Sequence, residues 1–132
     1  MIIRNNVDDQ ATQIIIEILQ RSFPKALEEL RIINCKISPV STLRILTSIN
    51  DGSCSLRKLS LAGASMGEQS LLVLANIISH VRSLVDLDIS WNGFRPNANF
   101  KKFLDALGSN RSLSYLNLSW NNLMIQIGRA HV

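Results

Sequence analysis

Apolar residues return along this chain in two alternating rhythms, a short one of period two and a longer one of period three to four. The short rhythm begins at Leu27, where Leu27, Leu30, Ile32, Cys35 and Ile37 follow the spacing Leu-x-x-Leu-x-Leu-x-x-(Asn/Cys)-x-Leu. It recurs at a nearly fixed interval from Leu56 (Leu59, Leu61, Ala64, Met66), Leu84 (Leu87, Ile89, Asn92, Phe94) and Leu113 (Leu116, Leu118, Asn121, Leu123). Side chains two apart share one face of an extended chain, so each copy predicts a short strand with a buried face. The Asn or Cys that follows predicts a turn whose side chain satisfies backbone groups left unpaired by the bend. Asn92 and Asn121 suit that task, Cys35 does it weakly and Ala64 cannot, so the second turn is expected to find its hydrogen bonds elsewhere.

The longer rhythm fills the intervals. Ile14, Ile15, Ile18 and Leu19 form one helical stripe; Leu43, Leu46 and Ile49 a second; Leu71, Leu74, Ala75 and Ile78 a third; Phe100, Phe103, Leu104 and Leu107 a fourth. Each predicts a helix laid against the strands. Pro39 and Pro96 stand near expected helix starts, and Gly108 and the Asp51-Gly52 pair just past expected ends.

Four copies at a nearly fixed period are the leucine-rich repeat signature, in which each unit buries its apolar face only against its neighbours. The expected fold is therefore an α/β leucine-rich repeat solenoid, or horseshoe, with parallel strands on the concave face and helices on the convex face. A unit as long as the step from Leu27 to Leu56 leaves room for a full helix. From Asn5 to Leu123 the chain resembles the ribonuclease-inhibitor-like class of leucine-rich repeats, which includes repeat regions of intracellular innate-immune receptors, Ran GTPase-activating proteins and actin-capping regulators. The resemblance is specific for architecture and implies an interaction surface without naming a partner.

Residues 1–125 are expected to form one leucine-rich repeat domain of about four and a half repeats, cut short. Ile2, Asn5 and Val7 fall near the third apolar, turn and last apolar positions of a still earlier copy, which would place Met1 inside a strand. Residues 126–132 are expected to be a non-native tail. They break the repeat, and Ile127-Gly128-Arg129-Ala130-His131-Val132 back-translates as ATC GGA AGA GCA CAC GTC, which resembles the opening of a common sequencing adapter. On this reading the array belongs to a longer protein.

Composition narrows the chemistry. Hydrophobic residues make up 46% of the chain with few aromatics, as a Leu/Ile-rich core requires. The run Ile14-Ile15-Ile16 ends at Glu17, and no stretch is long enough for a membrane span. Met1 to Asn5 lacks the layout of a secretory signal, and the two cysteines, Cys35 and Cys54, belong to different layers and make no disulfide framework. Sequons at Asn110 and Asn117 are triplets that arise often by chance, so a cytoplasmic location is expected. An enzyme is not expected. His131 lies in the tail, His80 falls at a helix end, no Cys/His cluster has metal-ligand spacing, and Gly63 to Ser70 lacks the Lys of a phosphate loop. No cofactor, metal or small-molecule substrate is expected.

The formal net charge of +4 raises the question of nucleic acid. The outward strand positions carry Glu28, Glu29, Arg31, Arg57, Lys58, Asp86 and Asp88, three positive against four negative, whereas phosphate tracking needs a clustered positive stripe. Lys101 and Lys102 fall on a helix and read as a solvated edge. The partner expected is another protein.

Stacking the copies in register gives one column of Glu29, Lys58, Asp86 and Tyr115, a second of Arg31, Ser60, Asp88 and Asn117, and a third of Ile33, Ala62, Ser90 and Ser119. A fourth runs Asn34, Gly63, Trp91, Trp120. The candidate partner-binding residues are Glu29, Arg31, Lys58, Asp86, Asp88, Trp91, Tyr115, Asn117 and Trp120. Two readings of the tryptophans stay open: exposed anchors for a partner, or covers folded over the loops to shield the Asn turns. The second is favoured by the tendency of Trp to bury most of its surface. At the level of the whole chain the favoured function is a non-catalytic scaffold binding a protein on the concave face. The alternative is a sensor or autoinhibitory segment of a larger regulatory protein, innate-immune receptor-like or GTPase-activating-like.

Overall fold

The computed structural model of the chain describes residues 1–21, 26–51 and 55–121. Strands and helices alternate: β1 (Ile2–Ile3), α1 (Asp9–Leu19), β2 (Glu29–Ile32), α2 (Pro39–Asp51), β3 (Lys58–Ser60), α3 (Glu68–His80), β4 (Asp86–Asp88), α4 (Ala98–Ser109) and β5 (Tyr115–Asn117). The five strands form one sheet, every neighbouring pair parallel, in the order β1-β2-β3-β4-β5. Each helix packs on the helix of the next unit, so contacts between elements run between consecutive repeats.

The register follows the repeat. Glu29 pairs with Lys58, Lys58 with Asp86 and Asp86 with Tyr115, one step later Leu30, Leu59, Leu87 and Leu116 align, and Arg31, Ser60, Asp88 and Asn117 follow. Beyond the strands the backbone ladder continues: Asn34 N donates to Ala62 O, Gly63 N to Ser90 O and Trp91 N to Ser119 O. The third and fourth columns are thereby also in register.

The core lies between sheet and helices. Leu30, Ile32, Leu56, Leu59, Leu61, Leu84, Leu87 and Ile89 from the strand side meet Ile45, Leu46, Leu71, Leu74, Ile77 and Phe103 from the helices, all essentially without exposure. Each such side chain contributes about 1.5–3 kcal/mol of burial. The helix starts repeat a device at one place in the unit: the Asp8 carboxylate accepts from Ala11 N (2.8 Å), Ser38 Oγ from Ser41 N (3.1 Å) and Asn97 Oδ1 from Phe100 N (3.1 Å). Gly67, before α3, offers no side-chain cap.

Several expectations change. Ile3, not Ile2, stands opposite Ile32; Ile2 is exposed, and the bridge from Val7 to Ile37 shows that the first turn is one residue shorter than the second. Ile14 and Leu104 point outward although their stripes are otherwise apolar, because an 11- or 12-residue helix with one neighbour layer buries a narrower face than its sequence offers. Gly108 lies inside the last turn of α4, whose cap is Asn110 rather than a glycine. The Asn110 carboxamide donates to Ile78 O (2.7 Å) and accepts from Ser112 N and Leu113 N, which closes the chain reversal that a glycine was expected to make. Gly52, Cys54, Leu123 and the tail 126–132 lie outside the described residues.

Candidate functional site

The turns after β3 and β4 are built by side chains from the next repeat. Asn92 Oδ1 accepts from Ala64 N and Met66 N, both at 3.2 Å, and Asn121 Oδ1 accepts from Asn92 N (3.0 Å) and Phe94 N (3.1 Å). The same carboxamides donate to Leu61 O (2.9 Å) and Ile89 O (3.1 Å), one strand back. Ala64 therefore does not leave its own turn unsatisfied, because Asn92 serves it; what Ala64 fails to do is serve the turn before it. Cys35 occupies the first rung, with Sγ 3.1 Å from Ile3 O and 3.4 Å from Ile33 O. Burial pushes its thiol pKa up, so it stays protonated and acts as a weak donor.

The residue just before each rung position has a left-handed backbone, whether or not an Asn follows it. Asn34, Gly63, Trp91 and Trp120 have φ of 50°, 62°, 59° and 58°, all in the left-handed region. Glycine accepts that conformation freely and Asn comparatively well, whereas for a tryptophan it costs about 1–2 kcal/mol. Trp91 and Trp120 are nonetheless 56% and 68% exposed, and their rings stack at 4.6 Å between centroids and 15° between planes. Their separation matches the strand spacing of about 4.8 Å, so the pair is stacked by the repeat itself. Both indoles stay more than half exposed, against the expectation that each would bury most of its surface. The left-handed backbone aims the side chain outward, and the Asn ladder already satisfies the polar groups that a cover would have shielded. Stacking returns about 0.5–1.5 kcal/mol against the strain.

On the outer face of the strand layer, Arg31, Lys58, Asp86, Asp88 and Tyr115 surround one shallow pocket of about 220 Å³ floored by Leu59 and Ser60. Five of the nine sequence-predicted residues are thus brought together. Glu29 and Asn117 border it in register, and Trp91 and Trp120 form a separate stack further along the same strands. The Arg31 guanidinium donates to the Glu29 carboxylate at 2.5 Å, and this bond is the main reason that the Glu29 pKa falls below the usual carboxylate value. It is the sole ion pair among the described residues, which leaves Lys58, Asp86 and Asp88 without a salt-bridge partner there.

Two residues that sequence reasoning placed in the third column but not among the binding candidates fix this surface. Ser90 offers N (3.0 Å) and Oγ (2.7 Å) to Asp88 Oδ1, and Ser119 offers N (3.0 Å) and Oγ (2.6 Å) to Asn117 Oδ1. These short loops hold Asp88 by one oxygen. The signal was present in the sequence, since Asp88-x-Ser90 and Asn117-x-Ser119 occupy the same place in consecutive copies, but only the φ values and contacts give it meaning.

Among the described residues no group of His, Cys, Asp and Glu could hold a metal ion, and no helix is long and apolar enough to cross a membrane. A family model described as a leucine rich repeat matches residues 109–124, a stretch that contains β5. That match supports the leucine-rich repeat class, which is generally a non-catalytic interaction domain. No curated relative matches the chain.

Proposed function

We propose that this chain is a non-catalytic protein-interaction scaffold of the ribonuclease-inhibitor-like kind, its repeats curved into a cytoplasmic horseshoe whose concave strand face binds another protein. One observation carries the reading: Arg31, Lys58, Asp86, Asp88 and Tyr115 surround one pocket on the strand face, in which Lys58 and Asp86 have no salt-bridge partner among the described residues, with an exposed indole pair further along the same strands. Unpaired surface carboxylates and a lysine of opposite sign a strand apart suit a partner with complementary charges. Exposed Trp and Tyr supply low-entropy apolar contact area of the type found at binding hot spots.

The test is site-specific photo-crosslinking in cell extract of the source. A benzophenone side chain replaces Tyr115 on the strand face, or Lys101 on the exposed side of α4. The reading expects a discrete crosslinked protein from position 115 and none from 101, with Asp86→Asn reducing the yield and Trp91→Ala weakening the affinity of that protein by about 2 kcal/mol or more. Crosslinks from the helix side alone would refute strand-face binding.

A further inference from the structure

Asn92 stands directly before Gly93, and nowhere else in the chain does glycine follow asparagine. That pair carries an intrinsic reactivity. A backbone nitrogen can attack the carboxamide carbon of the asparagine before it and close a five-membered ring; a side chain on the following residue crowds this approach, and glycine has none. Gly93 is exposed, nothing lies within 4 Å of where its Cβ would stand, and among the described residues its N–H has no hydrogen-bond partner. The nucleophile is free and open to solvent.

Its target is held. Asn92 Oδ1 accepts from Ala64 N and Met66 N, while Nδ2 donates to Leu61 O, Ile89 O and Ser90 O, so the carboxamide is committed to groups other than Gly93. Turning Cγ onto Gly93 N breaks these bonds together and orphans the two buried amides. Ring closure therefore requires the turn to open first.

We propose that Asn92–Gly93 is a site of spontaneous deamidation that the folded turn ladder keeps closed, and that the reaction makes an opening of this turn permanent. Gly93 N bonds to Asn92 Cγ, the Cγ–Nδ2 bond breaks, and the Gly93 amide proton leaves with Nδ2 as ammonia. Water then opens the succinimide: cleavage at Cγ gives aspartate, and cleavage at the backbone carbonyl gives isoaspartate. Neither product rebuilds the rung in full. An ionised aspartate has no hydrogens to offer Leu61 O, Ile89 O and Ser90 O, and isoaspartate also inserts its Cβ into the main chain, out of step with the repeat. The other Asn rung, Asn121, is followed by Asn122 and lacks this weakness. The inference is independent of what the strand face binds.

The experiment holds the full chain in mildly alkaline buffer, with and without denaturing guanidinium chloride. Conversion at each asparagine is followed by mass spectrometry of proteolytic peptides, with isoaspartate counted by protein isoaspartyl methyltransferase. In denaturant Asn92 should react before every other asparagine, and Gly93→Ala, whose backbone strain is irrelevant there, should slow it to the pace of the rest. In native buffer Asn92 should react about thirtyfold more slowly or more, the factor set by orphaning two buried amides at the low end of their cost. Asn121→Ala removes bonds to Asn92 N and Phe94 N that opening this turn would also break, and should speed the native reaction about fivefold. Chain deamidated in denaturant and returned to native buffer should unfold at a lower denaturant midpoint than the amide form. Equal rates with and without denaturant, another asparagine reacting first in denaturant, or an unchanged midpoint after deamidation would each overturn the proposal. So would a native rate untouched by Asn121→Ala, and the wild-type comparison holds whatever the stability of that variant.

Discussion

Replacing Asn92 by Ala removes the central rung of the turn ladder and should be among the most damaging single changes in this chain. Its Oδ1 is the acceptor for Ala64 N and Met66 N, and its Nδ2 lies 2.9, 3.0 and 3.1 Å from the carbonyls of Leu61, Ser90 and Ile89. All five of those residues are buried. The carbonyls are partly insured: Ser90 O still accepts from Gly63 N, and Ile89 O from Asn121 Nδ2. The two amides have no such second partner among the described residues. At about 1–3 kcal/mol for each orphaned buried donor, the loss is about 2–6 kcal/mol, a large part of the roughly 5–15 kcal/mol typical of a folded domain. Asn92→Asp keeps the acceptor and should recover part of it. Asn121→Ala should cost less than Asn92→Ala, because one of its two amides belongs to the half-buried Asn92, where water can enter. Urea unfolding followed by circular dichroism gives the values, read as a shift in midpoint at unchanged slope. A loss below about 1 kcal/mol for Asn92→Ala, or a larger loss for Asn121→Ala, would refute the assignment of the ladder as the support of these turns.

The remaining predictions concern the surface. Trp91→Ala and Trp120→Ala should each cost no more than about 0.5–1.5 kcal/mol, the value of the stack, and a double-mutant cycle in urea should return that same coupling; losses near the roughly 3–5 kcal/mol of a buried aromatic would mean that the indoles are structural after all. Arg31→Ala should raise the Glu29 carboxyl pKa toward its ordinary value, as followed by carbon-detected NMR titration. Because the folded pKa is the lowered one, the benefit of the pair is complete above the unfolded carboxylate pKa and disappears as pH falls through the folded value, so any stability difference between the two proteins should close in acid; a gap that widens there would reverse the sign.

The repeat itself was legible from residue spacing. Leu56, Leu59 and Leu61, with their counterparts in the other copies, can bury one face only by stacking, so strand order, parallel pairing and the charged columns follow from period alone. Spacing also named the residues around the pocket, because register carries Glu29 to Lys58, Asp86 and Tyr115 without knowledge of a single angle. What it left open were features set by contacts between repeats. How far Trp91 is exposed depends on a left-handed backbone that recurs at the same place in each of the four copies and on the turn that follows it, which Asn92 ties to the repeat before. The reach of that service, from Asn92 to Ala64 and Met66 of the repeat before as well as to its own turn, is invisible in a pattern that reads each copy alone. The one-residue shortening of the first turn, which moved Ile3 into the place expected for Ile2, is decided by pairing with Ile32 and by the bridge from Val7 to Ile37. Local alternation is cheap to encode and repeats faithfully, whereas the side-chain choices at the turns are settled only when the neighbouring repeat supplies their hydrogen-bond partners.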